Sequence, residues 1–217
     1  MGPRAGQLPT EFPIFPLPGA VLLPGGKLPL NIFEPRYLNM IEDALGQGRM
    51  LAMVQPDPAR GPTPTGPAVY RVGCLGRISS FSETDDGRFL ITLTGVTRCQ
   101  ILVELETRRG YRRVRADLAR FAADLEPEAQ AVEREALLDA LRAYFQARGF
   151  DANWDAINEM PDPVLVATLA MVCPFEPPEK QALLEAPDTA ERAQALLALL
   201  QMGAHQPDPA QYKRSIS

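Results

Sequence analysis

The sequence is poor in the side chains that most catalysis needs. Its 217 residues include one histidine, His205, and three lysines, Lys27, Lys180 and Lys213. Serine is confined to Ser79, Ser80, Ser82, Ser215 and Ser217. A serine or cysteine nucleophile needs a base within hydrogen-bond reach and a group that orients the base. A single histidine in a polar tail does not supply them, and no Gly-x-Ser-x-Gly elbow is present. Gly25-Gly26-Lys27 is not a phosphate loop: Val21 stands where the first glycine belongs, Leu28 replaces the magnesium-binding hydroxyl, and no helix follows. Cysteine occurs at 74, 99 and 173 only, an odd and widely spaced set without Cys-x-x-Cys. That excludes a disulfide framework and a zinc knuckle, and predicts three small apolar core positions. Glu83-Thr84-Asp85-Asp86 reads as a solvated acidic turn, so no clustered metal ligands are seen. No catalytic, cofactor-binding or metal-binding residue is therefore assigned.

Long hydrophobic runs are also missing. The longest, Val164 to Cys173, is too short to span a bilayer and contains Thr168. The N-terminus shows no positive segment followed by an apolar one. The expectation is a soluble, reduced, cytoplasmic protein with no membrane partner. What is present suits a packed domain: 46% hydrophobic and 23% charged residues, with a net charge of −5. The acidic balance argues against nucleic acid as a partner.

The chain changes character near residue 120. Strand signals dominate before it. Phe12–Leu17 is short and broken by prolines, which fits an edge strand or a strand end. Leu28–Phe33 and Met50–Val54 are further short candidates, and Pro56–Pro67, with five prolines and two glycines, reads as a surface loop. Val69–Phe81 and Arg88–Thr94 flank Asp85-Asp86-Gly87, where Asp-Gly predicts a tight hairpin turn with positive φ at both central residues. Residues 99–105 alternate as another strand, and a turn at Arg109-Gly110 leads to a strand over Tyr111–Leu118. Short strands at this spacing predict a small closed or half-closed barrel. One helix interrupts them near 35–45, begun by Pro35 and stopped by Gly46.

After residue 120 the pattern is helical. A helix is predicted from Pro127 to Arg148, stopped by Gly149. Asp162-Pro163 is read as a cap and first turn, and Val164–Cys173 as a buried helix ended by Pro174. A shorter helix over Pro178–Ala186 follows. Asp188 with Glu191 begins the last one, which Gly203 is expected to end. The expected division is a β-rich part over 1–120, a helical part over 121–205 and a flexible tail over 206–217, together one α+β domain. The one basic cluster, Arg108 to Arg115 with Tyr111 inside it, could meet phosphates and stack on a base. The competing reading is a solvated strand face paired with Glu104, Glu106 and Asp117.

Leu28-Pro29-Leu30-Asn31-Ile32-Phe33-Glu34-Pro35-Arg36-Tyr37, preceded by Phe15-Pro16-Leu17-Pro18 and Leu23-Pro24-Gly25, resembles the opening of the Lon protease N-terminal domain. Val72-Gly73-Cys74-Leu75-Gly76-Arg77-Ile78, the stretch from Asp86-Gly87-Arg88 to Gly95-Val96-Thr97-Arg98, and Lys180-Gln181-Ala182-Leu183-Leu184-Glu185 resemble later motifs of that family in the same order. The resemblance runs from about Phe12 to Leu200. It implies a PUA-like β pseudo-barrel followed by a helical bundle, and a non-catalytic module that recognises polypeptide clients. Such a module would be an adaptor or regulator in protein quality control, without the ATPase and Ser-Lys protease modules of full Lon proteases. Phe33, Arg36, Tyr37 and Phe81, with the Pro56–Pro67 loop, are the expected border of a client groove. In the competing structural reading, Glu34 and Arg36 pin the loop while Phe33 and Tyr37 are core. PUA-like barrels of other families bind RNA, which makes RNA binding through 108–115 the alternative function.

Overall fold

The computed structural model describes residues 7–126 and 131–205. The start of the helix expected from Pro127 and the tail expected over 206–217 lie outside the described residues. Six strands come first: β1 Glu11–Pro16, β2 Lys27–Ile32, β3 Met50–Val54, β4 Val72–Glu83, β5 Phe89–Arg108 and β6 Tyr111–Asp117. Helix α1, Pro35–Gly46, lies between β2 and β3. A short 3₁₀ helix, Ala119–Asp124, leads to α2 Arg134–Arg148, α3 Trp154–Glu159, α4 Asp162–Val172, α5 Pro177–Glu185 and α6 Thr189–His205.

The chain is α+β, as expected, but the expected barrel is corrected. The strands form one mixed sheet in the order β2-β5-β4-β3-β1-β6, with β1 and β3 parallel and β5 also pairing β6. A barrel leaves no edge; here β2 pairs β5 alone among the described residues and keeps a free edge. The expectation counted two short strands, over 88–94 and 99–105, where there is one. β5 runs for 20 residues, and Gly95 is the reason it continues past its middle. A Cβ at Gly95 would stand 2.0 Å from the Leu23 carbonyl oxygen. The strand therefore passes directly under the Leu23–Gly26 turn, where Gly25 donates to the Gly95 carbonyl at 3.0 Å and Gly95 donates to that of Gly26 at 2.9 Å.

The turns also redistribute. The loop between β4 and β5 is five residues long, and of Asp86 and Gly87 only Gly87 has positive φ, +76°. The two-residue turn is instead Arg109-Gly110, with φ of 47° and 89° between the paired Arg108 and Tyr111. Gly149, at φ 66°, ends α2 as expected, with Phe150 donating back to Phe145 at 2.9 Å. Asp162 is not a cap: it lies inside the first turn of α4 and takes the Arg134 guanidinium at 2.5 Å. Gly203 does not end α6. It is buried within the helix, where a Cβ would meet the Tyr144 ring at 2.4 Å.

The sheet buries residues on both faces. On one, Phe12, Ile14, Leu75, Cys99 and Val114 pack among themselves. On the other, a single apolar core runs from the sheet through α1 into the helices, joining Leu22, Met53 and Leu93 to Leu141, Val166, Leu183 and Leu196.

Candidate binding face

Two of the recognisable motifs build the joint between sheet and helices. Gln181 donates to the Val72 carbonyl at 3.0 Å and accepts from buried Gln55, whose amide also reaches the Pro177 carbonyl. Lys180, buried, donates to the Met171 carbonyl in the last turn of α4 at 2.9 Å, and burial holds its pKa below the ordinary lysine value. Arg98 is buried against Asp124 in a fork of short hydrogen bonds and also holds the carbonyls of Ala186 and Pro187. Arg192, pushed down to about 10 by burial and by the neighbouring Arg98 charge, donates to Leu183 and Ala186. These side chains satisfy backbone carbonyls at helix ends and at the start of β4.

The motif around Phe33 is placed differently. Glu34 and Arg36 form an exposed ion pair with contacts of 2.8 and 3.0 Å, and the guanidinium lies 4.5 Å from the Tyr37 ring centroid. Tyr37 is only 7% exposed, with its ring 4.3 Å from that of Phe15, and burial raises its pKa. Arg36 thus pins the start of α1 and Tyr37 belongs to the core. Phe33 is 62% exposed, outside the core, with the Arg88 guanidinium 6.0 Å from its ring centroid.

Strand register divides the remaining expected residues. Phe81 pairs opposite Ile91, on the inward face, and its ring meets buried Phe89 at 5.1 Å, although Phe81 itself is 39% exposed at the sheet's end. Phe33 continues the outward alternation of Pro29 and Asn31. Phe33 and Phe81 are therefore on opposite faces of one sheet end. The Pro56–Pro67 loop does not join them. It is fixed elsewhere, by Thr65 donating to Glu104 at 2.9 Å and Arg112 donating to the Pro67 carbonyl at 2.8 Å. Phe81 lies nine positions along β4 from Val72, which follows that loop, roughly 30 Å at strand rise. On the outward face the sheet holds an open trough of about 390 Å³, lined among others by Pro29, Asn31, Ser80, Ser82, Leu90 and Thr92. Leu90, 44% exposed, was not singled out from the sequence. Its signal is the alternation of Phe89, Ile91 and Leu93 with Leu90, Thr92 and Thr94, which puts Leu90 on the more exposed face of the first part of β5.

Each arginine of the hairpin is paired with a carboxylate. Arg109 binds Glu42 and Asp43 at 2.8 Å each, Arg108 reaches Asp43 at 3.2 Å, Arg112 binds Glu104, and Arg113 and Arg115 share Glu11. Tyr111 is buried, donating to Asp43 at 2.7 Å, and its pKa is pushed up to about 12 by burial and that carboxylate. Of the acids expected as partners only Glu104 appears; Glu42, Asp43 and Glu11 come from α1 and β1, which sequence spacing could not place. A ring so held has no face to offer a base.

All three cysteines are buried and free, with thiol pKa values raised by burial, Cys99 and Cys173 to about 12, so none is a poised thiolate. Among the described residues no three His, Cys, Asp or Glu side chains gather as a metal site, and no helix is long and apolar enough to cross a membrane. What the sheet end offers is an open surface of apolar and hydroxyl groups. The profile of the ATP-dependent protease La (LON) substrate-binding domain matches residues 11–202, and the chain belongs to that family. The matched domain is a substrate-binding module, not a protease or ATPase domain, so the chain is a non-catalytic binding module resembling the Lon N-terminal domain.

Among curated relatives, the Lon protease of Azorhizobium caulinodans is 26% identical over 214 residues, which cover 92% of this chain and 23% of that protease. Lon protease 1 of Thermus thermophilus is 25% identical over 198 residues, 89% of this chain and 25% of that protein. The chain thus spans about a quarter of the length of these relatives. A Lon N-terminal domain protein from Xanthomonas campestris shares the fold with a TM-score of 0.60 at 24% identity, over 87% of this chain and 98% of that one. The N-terminal domain of the Mycobacterium avium complex Lon protease does so with a TM-score of 0.60 at 20% identity, over 88% and 97%.

Proposed function

We propose that this chain binds exposed apolar segments of client polypeptides at the open end of the β2-β5-β4 face, as an adaptor or regulator of protein quality control in the cytoplasm. The observation that carries the reading is the uncharged trough lined by exposed Leu90, with exposed Phe33 next along the chain from β2, in a chain of the substrate-binding family. Phe33 and Leu90 make the outward contact, and Phe81 extends it around the hairpin to the inner side. Arg36 and Tyr37 act by positioning, because they fix the start of α1 directly behind Phe33. The β-rich part to residue 120 and the helical part over 121–205 work as one unit, a reading supported by the single core that joins them. Covering the exposed parts of two such side chains is worth about 1 kcal/mol each, which suits weak binding of many clients.

The test is fluorescence anisotropy with labelled, reduced and carboxymethylated lactalbumin, a permanently unfolded chain. Phe33→Ser with Leu90→Ser should weaken binding by about thirtyfold and leave circular dichroism unchanged, since both side chains are exposed. Equal affinity of the variant and the wild type removes this face from the reading, and no binding by the wild type removes the reading itself.

A further inference from the structure

The edge of β2, free among the described residues, borders the same face, and an extended polypeptide could in principle pair with it as an added strand. Register argues otherwise. β2 pairs Leu28 with Leu93, Pro29 with Thr92, Leu30 with Ile91 and Asn31 with Leu90. The Thr92 carbonyl accepts the Ser79 hydroxyl of β4 at 3.1 Å, so Thr92 turns its backbone groups toward β4. In an antiparallel ladder the neighbours Ile91 and Leu93 then turn theirs toward β2. Leu28 and Leu30 hold the ladder, and Lys27, Pro29 and Asn31 present the outer edge. All three of those side chains are exposed. The middle position of that edge is proline. It has no N–H to donate, and its ring carbon occupies the place where the donor would meet an incoming carbonyl. A strand of six residues has only three outward positions, so losing the central one leaves two pairing points four residues apart.

We infer that Pro29 is a specificity-determining residue that closes the β2 edge to strand addition, so that clients are held on the neighbouring face by their side chains and not by their backbone. The inference rests on the client-binding reading above for its second half, while the closed edge stands on the register alone. Two consequences follow physically. A client need not be extended or free of proline, because nothing in its main chain is read. The edge is also barred to a second copy of this chain, for which an open edge beside exposed Leu90 and Phe33 would be a pairing site.

The experiment has two arms. In the first, a labelled short peptide of Leu, Phe, Ala and Ser is compared with the same peptide N-methylated at its odd, or at its even, backbone nitrogens. Side-chain recognition keeps both methylated forms within about threefold of the parent, whereas strand addition loses about tenfold or more in one of them, because an added strand pairs through alternate residues. The second outcome overturns side-chain recognition. If the parent peptide and unfolded lactalbumin both fail to bind, the client reading has failed, and the second arm alone decides the closed edge. In that arm Pro29→Val is followed by sedimentation velocity against the wild type, with Pro29→Ala as a second variant in case the valine variant misfolds by circular dichroism. An opened edge raises the weight-average mass with protein concentration beyond that of the wild type. Folded variants that sediment as the wild type does overturn the role of Pro29.

Discussion

Arg98 shows how much one side chain can carry. Its guanidinium is buried, paired with a carboxylate that is nearly as buried, and spread over backbone carbonyls of the α5–α6 connection. Removing one partner of such a pair is costly because the other charge remains desolvated. Arg98→Met is expected to destabilise the protein by about 3–5 kcal/mol in urea unfolding. Arg98→Lys should recover little of this, because an ammonium cannot reproduce the planar fork on Asp124. A loss under about 1 kcal/mol would mean that Asp124 finds water or another donor. By contrast, the exposed Arg36–Glu34 pair should contribute almost nothing to global stability, which separates a residue that holds the fold from one that trims a local corner.

Among the elements, β5 and the turn above it depend on a missing side chain. At Gly95 the clash would be with backbone, the Leu23 carbonyl, which cannot rotate away. Gly95→Ala is therefore expected to cost at least about 2 kcal/mol, since overpacking against fixed atoms must move the main chain. Gly46, the last residue of α1, has open space around its Cβ position and no positive φ. Gly46→Ala should stabilise by about 0.5–1 kcal/mol by lowering the entropy of the unfolded chain and favouring helix. Thermal melts of the two variants should move in opposite directions. If Gly95→Ala is neutral, β5 does not need to pass so close to the Leu23–Gly26 turn, and the continuity of that strand has another cause.

For the whole molecule, the three buried thiols set the response to alkali. A group whose folded pKa is raised stabilises the fold fully below its unfolded pKa and loses that contribution as pH rises through the folded value. Cys99 and Cys173 move from 9.0 to about 12, and Cys74 is raised well above 9.0. Stability should thus fall from about pH 9 upward, by about 1.4 kcal/mol per pH unit for each thiol that is ionised only when unfolded. Tyr111, raised from 10.0 to about 12, adds to the fall above pH 10. Lys180 and Arg192, lowered by burial, have the opposite sign and offset part of it. Urea midpoints at about pH 8 and about pH 10 check the direction. Cys99→Ala should shallow the slope whatever it does to stability at neutral pH, and an unchanged slope would show that Cys99 ionises as readily in the fold as in the unfolded chain.

Local chemistry by itself determined a good deal. Pro35 begins α1 and Gly149 ends α2 because those residues settle backbone geometry within a turn, and three cysteines with no partner chemistry are buried as small apolar groups. The opening motif, the later motifs and their order were legible as a family pattern for the same local reason. Tertiary structure decided what depends on residues far apart in the chain. It made one long β5 of two expected strands, because the space over Gly95 is set by Leu23. Among the described residues it left β2 as an edge, so that the sheet is not the expected barrel. It sent the Arg108–Arg115 cluster to carboxylates on α1 and β1, and divided Phe33 from Phe81 and both from the proline-rich loop. A strand's alternation tells which residues share a face, but only pairing with its neighbours tells which face is covered, and that is why Leu90 and the trough beside it emerged from the fold and not from the sequence.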